Sequence, residues 1–177
     1  NGWGYKCDVI APSLIPKKAG NRRKNDFRDA IDLGKNYANG ELSIVHPPTE
    51  EEEGVRTLVR CRMTLKDYAK RVKLQINSLL LGHGIKYARG AKWTKKHRKW
   101  VCEQQLPDEH MQRVLESHLK HLSYLEAEVE AFDKQIEEIA RSDIYEPSVK
   151  KLRAFKGLGT LAAMLLISEI TDFRRFA

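Results

Sequence analysis

The feature that most constrains the fold is a row of eight apolar residues, Leu115, Leu119, Leu122, Leu125, Val129, Phe132, Ile136 and Ile139, each three or four positions from the next. Only a helix gathers such positions onto one stripe, and the near-heptad spacing makes the stripe a narrow seam that another helix must cover. Pro107-Asp108-Glu109 opens the segment and Ser142 to Pro147 breaks it, so a long helix is predicted to about Ala140. Glu126, Glu128, Glu130, Glu137 and Glu138 occupy its other faces. The spacing admits two partners for the seam: a long helix of the same chain folded back, or a second copy in a coiled-coil homodimer.

The chain holds a candidate for the first arrangement. Thr49 followed by Glu50 to Glu53 places a hydroxyl at an N-cap and acids at the positive end of the helix dipole. From there Val55, Leu58, Val59, Leu65, Tyr68, Val72, Ile76, Leu79 and Leu80 recur at helical spacing until Gly82 and Gly84. Another face carries Arg56, Arg60, Lys66, Lys70, Arg71 and Lys73, and seven cations face one acid between Val55 and Lys73. That face is either solvated or a row of phosphate contacts.

Charge is distributed unevenly along the chain. Residues 1–100 carry 22 Lys and Arg against 10 acids, residues 101–149 carry 4 against 12, and residues 150–177 carry 6 against 2. Two basic segments therefore flank an acidic one, and a nucleic-acid partner is expected for the basic parts because released counterions drive such binding. The most concentrated stretch is Lys86 to Trp100, with Lys92, Trp93, Lys95, Lys96, Arg98, Lys99 and no acid. Its cations suit a phosphate backbone, and its aromatic rings either stack on unpaired bases or anchor the loop to the core. Three widely spaced cysteines, Cys7, Cys61 and Cys102, indicate free thiols rather than disulfides or a zinc ribbon, and His118 and His121 lack Cys partners at ligand spacing. No apolar run is long enough to span a bilayer and no leader opens the chain, so a cytoplasmic protein with no membrane partner is expected.

Toward the N-terminus, Tyr5 to Ala11 reads as a buried strand closed by Pro12 and Pro16, about Asn25 to Tyr37 as a helix ended by Asn39-Gly40, and Leu42 to Val45 as a short strand before Pro47-Pro48. The order strand, helix, strand is that of an α/β unit. On the helix, Asp26 and Asp29 share a face and form one wall of a candidate divalent-metal site, ringed by Lys17, Lys18, Arg22, Arg23, Lys24 and Arg28. The plainer alternative is a pair of surface acids matched with neighbouring cations. At the other end, Gly157-Leu158-Gly159-Thr160-Leu161-Ala162-Ala163 fits a helix-hairpin-helix, whose glycines permit a tight turn and present amides to a phosphate. A ligand-free helical corner fits the same residues.

With these pieces in order, the chain resembles the DEDD-type insertion-sequence transposases and Piv-like DNA invertases, a family that includes bridge-RNA-guided recombinases. The resemblance covers essentially all 177 residues and is carried by Val9 to Pro16, Lys24 to Ala30, Leu79 to Ile85, and Phe155 to Phe176. It implies an α/β plus all-α, mostly helical protein. Residues 1–100 would be part of a RuvC-like, RNase H-type nuclease domain, 101–149 a coiled coil, and 150–177 the start of a second transposase domain. It further implies that Asp26 and Asp29 are the last two of four catalytic acids that bind Mg²⁺. The other two acids would precede Asn1, and a catalytic serine would follow Ala177. The implied partners are DNA and a guide RNA, with oligomerisation through the coiled coil. The competing reading is a non-catalytic nucleic-acid-binding or dimerisation module in which Asp26 and Asp29 only pair with cations.

Overall fold

The computed structural model describes residues 4, 7–16, 25–45, 47–171 and 173. Packing divides the chain into two compact units, Asn1–Thr49 and Glu50–Ala177. The helix opening at residue 50 packs along its length against segments from the later parts of the chain.

The first unit contains strand β1 (Val9–Ile10), helix α1 (Asp26–Ala38) and strand β2 (Ile44–Val45). The two strands pair antiparallel, Val9 opposite Val45 and Ile10 opposite Ile44. Asn25 caps α1, its side chain accepting from the Phe27 amide at 3.0 Å, and Asn39-Gly40 closes it as expected. The strand predicted over Tyr5–Ala11 is shorter among the described residues, and it is not buried: Val9 is 43% and Ile44 60% exposed. A two-stranded ribbon cannot cover both of its own faces, and α1 buries none of its residues.

The second unit is helical. Helix α2 (Glu50–Gly82) and helix α4 (Glu109–Ile139) are about 50 and 46 Å long at 1.5 Å per residue. Between them lies α3 (Lys95–Cys102), and α5 (Glu146–Arg153) and α6 (Thr160–Ile170) follow. Val55 and Val59 near the start of α2 pack with Ile136 and Ala140 at the end of α4, while Val72, Ile76 and Leu80 pack with Leu115, Leu122 and Leu125. The pair is therefore an antiparallel hairpin. Of the two partners that the seam admits, the folded-back helix is the one present, and Leu115, Leu122, Leu125 and Ile136 are at most 3% exposed. Leu119, Val129, Phe132 and Ile139, the other four seam residues, are half-buried.

The connection that joins the two long helices has local causes on both sides. Past α2, the Gly84 amide bonds the Leu81 carbonyl and the Ile85 amide bonds the Leu80 carbonyl, both at 2.9 Å. With Gly84 at φ 74° this is a Schellman cap, which aims the following chain back onto the core. Asp108 caps α4 by accepting from the Met111 amide at 3.0 Å. Helix α6 is apolar on almost every side, as a helix held among α2, α4 and α5 must be, and Ala163 and Met164 are fully buried. Among the described residues no helix is long and apolar enough to cross a membrane.

Candidate nucleic-acid interface

The basic, aromatic stretch condenses around a residue that its charge pattern conceals. Thr94 caps α3, its hydroxyl accepting from the His97 amide at 3.3 Å. His97 then lies one helical turn inside and is 1% exposed. Three rings surround it: Tyr87 and Trp93 meet it edge-on at 4.7 and 5.1 Å between centroids, and Trp100 lies tilted at 5.6 Å. Trp93 and Trp100 also rest on the core shared by α2 and α4. The rings therefore anchor the loop, and Trp93, for which stacking on bases and anchoring the loop are both open in the sequence, is half-buried against its own chain.

This cluster is electrostatically unusual. Among the described residues His97 Nδ1 is the buried side-chain nitrogen or oxygen without a hydrogen-bond partner. Burial first, and the charge of Lys92 second, push the imidazole pKa below its usual value. Lys73 of α2 stands over the Trp93 ring at 5.6 Å and pairs with Glu126 of α4 at 2.8 Å. Arg98 of α3 bonds the other oxygen of Glu126. Partial burial works to raise the Glu126 pKa, but the bonds from Arg98 and Lys73 outweigh it and hold the carboxyl below its usual range. Helices α2, α3 and α4 are thus pinned together beneath the loop.

Outside this anchored layer the cations face solvent. Lys86, Arg89, Lys92, Lys95 and Lys96 are exposed and enter no ion pair among the described residues. Lys99 is exposed as well, and its ammonium is a loose 3.9 Å from Glu103. Lys95 and Lys96 occupy the first turn of α3, where no acid offsets them. Cations there oppose the helix dipole.

The cationic face predicted on α2 divides into two groups. Arg60 meets Glu169 of α6 with both guanidinium branches, each at 2.7 Å, and this bond raises the Arg60 pKa and lowers that of Glu169. Arg56 donates to the Ser168 carbonyl at 2.7 Å and pairs with Glu53, and Arg62 pairs with Asp133 at 2.6 Å. These arginines tie helices together, so Arg60, expected to contact phosphate, has a carboxylate as its partner. Lys66 and Lys70 are exposed and enter none of these ion pairs.

At the far end of the hairpin, α5 and α6 join through a turn in which Gly157 has φ 94° and Gly159 stands at the N-cap of α6 without a side-chain cap. A side chain at either glycine would meet nothing within 4 Å, so Gly157 answers to backbone conformation rather than to crowding. Beside this turn lies a groove of about 590 Å³ whose walls include Met63, Lys66, Gly159 and Leu161.

In the first unit, Asp26 and Asp29 sit together in the exposed first turn of α1 with Arg28 between them. Lys17, Lys18, Arg22, Arg23 and Lys24 lie outside the described residues. Two carboxylates suit a hard cation that keeps several waters, as Mg²⁺ does. Among the described residues no group of three or more His, Cys, Asp or Glu could hold a metal, so the donors fit Mg²⁺ only as part of a larger set. Cys7, Cys61 and Cys102 are unpaired and exposed.

Sequence reasoning missed His97 and the carboxylates Glu126, Asp133 and Glu169. A usable signal is the pair His97 and Trp100, three positions apart on α3.

No family model matches the chain, and no solved structure matches it. Curated proteins do. The putative transposase y4qE of Sinorhizobium fredii is 34% identical over 173 residues, covering 98% of this chain and 41% of that protein. The transposase for insertion sequence element IS1533 of Leptospira borgpetersenii is 34% identical over 173 residues, covering 97% and 50%. The transposase for IS1328 of Yersinia enterocolitica is 25% identical, covering 98% and 50%. The chain thus spans about half the length of the curated relatives it matches, and along nearly all of its own length it is a relative of insertion-sequence transposases.

Proposed function

We propose that this chain is a nucleic-acid-binding portion of an insertion-sequence transposase. The observation that carries the reading is the layer of exposed lysines mounted on the His97 cluster, which would present charge to phosphate without a loop having to order first. DNA is the partner suggested by the relatives' names, and a guide RNA would offer the same phosphate chemistry. The test is a fluorescence-anisotropy titration of a labelled 20-base-pair duplex at 100 mM salt. Replacing Lys92, Lys95, Lys96 and Lys99 together by Gln is expected to weaken binding at least tenfold; unchanged affinity would assign the stretch to packing alone.

For the complete protein the proposal is cutting and rejoining of DNA strands. Unit Asn1–Thr49 would be one part of an RNase H-like domain, and its strand, helix, strand order supports that reading. Asp26 and Asp29, side by side at the start of α1, would hold part of a Mg²⁺ site completed by acids from elsewhere in the protein. When bound there, Mg²⁺ would neutralise the scissile phosphate and stabilise the leaving oxygen. The turn holding Gly157 and Gly159 would approach a backbone phosphate closely. In the full-length protein, Asp26→Ala with Asp29→Ala is expected to lower Mn²⁺ affinity measured by calorimetry and to abolish recombination. If both are unchanged, the chain is a binding module whose two acids have no catalytic part.

A further inference from the structure

Resting on the reading of the Lys92–Lys99 stretch as a phosphate-binding surface, we propose that this surface continues along one flank of α2. Together the two parts form a track for double-stranded nucleic acid that follows the backbone and does not stack on bases. Lys66 and Lys70 are one turn apart on α2 and both are exposed. One turn further, Lys73 crosses to the Trp93 ring, and Lys92 adjoins Trp93 in the chain. At its other end Lys66 lines the groove beside Gly159. Lys66, Lys70 and Lys73 share one face of α2, and the contact of Lys73 with Trp93 joins that face to the loop that carries Lys92. Lys66 and Lys73 are seven residues apart on α2, which sets that part of the track at about 10 Å. At about 3.4 Å per phosphate it spans roughly three phosphates of one strand.

Two further observations select the ligand. Acids near the track are mostly neutralised by the protein itself: Glu126 lies between Lys73 and Arg98, and Asp133 is paired with Arg62. Asp67 and Glu137 also line the groove: Asp67 is exposed and is not in these pairs, and Glu137 stands 3.7 Å from Arg141. The aromatic rings that would read a single strand are packed around His97. A surface of lysines without available rings binds the continuous phosphate rows of a duplex and carries no base readout. Lys95 and Lys96 stand at the positive end of α3 without acids, and a phosphate would relieve that repulsion.

The test compares a labelled 20-base-pair duplex with one of its strands across a salt series. Wild type is expected to prefer the duplex. Lys66→Gln with Lys70→Gln and, separately, Lys95→Gln with Lys96→Gln should each reduce the log–log salt slope by up to about 1.8, two contacts at about 0.9 each. Lys120→Gln on α4 should leave it unchanged. All four lysines of the two double variants are exposed, and circular dichroism checks that the variants fold. If Lys66→Gln with Lys70→Gln keeps the wild-type slope while Lys95→Gln with Lys96→Gln lowers it, the track is refuted and the α3 surface stands. Tighter binding of the single strand, with quenched tryptophan fluorescence, would also refute the track. Absence of binding at 50 mM salt would refute the underlying reading as well.

Discussion

His97 gives a pH dependence whose sign and ceiling can be worked out. Its imidazole is 1% exposed, its Nδ1 has no partner, and three rings enclose it. Lys92 acts on it from the loop, and Lys73 stands across the Trp93 ring. From the flank, Arg98 faces Glu126 rather than His97, and Tyr87 contributes a neutral ring. The positive end of α3 adds to the cost of charging it. The folded pKa is therefore lowered, and an unfolded chain takes up the proton first. Stability from this residue is complete above the ordinary histidine value of about 6.5 and is lost as pH falls toward the folded pKa. If the folded imidazole stayed neutral throughout, the loss between pH 7.5 and pH 5 would reach a ceiling of about 2 kcal/mol. Urea unfolding across that range should show wild type weakening on acidification. His97→Phe keeps the ring contacts and removes the unsatisfied nitrogen, so the difference between variant and wild type should shift toward the variant as pH falls. A difference independent of pH would refute the account of a neutral, enclosed imidazole.

Other perturbations follow from the same packing. Ile76→Ala, at a fully buried position in the α2–α4 core, should cost about 2–5 kcal/mol in urea unfolding. Gly157→Ala places a side chain at φ 94° and should lower stability by about 1–2 kcal/mol although no atom obstructs it. Glu126→Gln removes the charge shared by Lys73 and Arg98. Because the folded Glu126 pKa is lowered, that charge stabilises above the unfolded carboxyl value, and the effect is lost as pH falls through the folded one. The variant should therefore be less stable than wild type at pH 7 and closer to it at pH 3.

How much of this was legible in the sequence depended on the range of each interaction. The limits of α4 could be read because Asp108 and the seam from Leu115 to Ile139 are local signals. The end of α2 was marked by Gly82 and Gly84, and the cap there uses Gly84. The partner of the seam was not fixed by spacing, since Leu122 packs against any apolar stripe of matching period. Arg60 and Glu169 are 109 positions apart, so nothing nearby distinguishes an arginine that crosslinks helices from one that meets phosphate. Trp93 shows the same limit: a ring beside lysines serves a base or a core, and its contact with His97 could not be read from the charges around it. Asp26 and Asp29 share the first turn of α1, as their spacing predicts, yet their chemistry depends on groups that neither spacing nor the described residues supply.

The central claim, that this chain presents a fixed row of lysines to nucleic-acid phosphate, is tested most directly by the salt dependence of wild-type duplex binding. Six contacts, from Lys66, Lys70, Lys92, Lys95, Lys96 and Lys99, correspond to a log–log slope of about −5.4. Affinity should then fall about 2,000-fold between 50 and 200 mM salt. A slope near zero, or no binding at 50 mM, would contradict it.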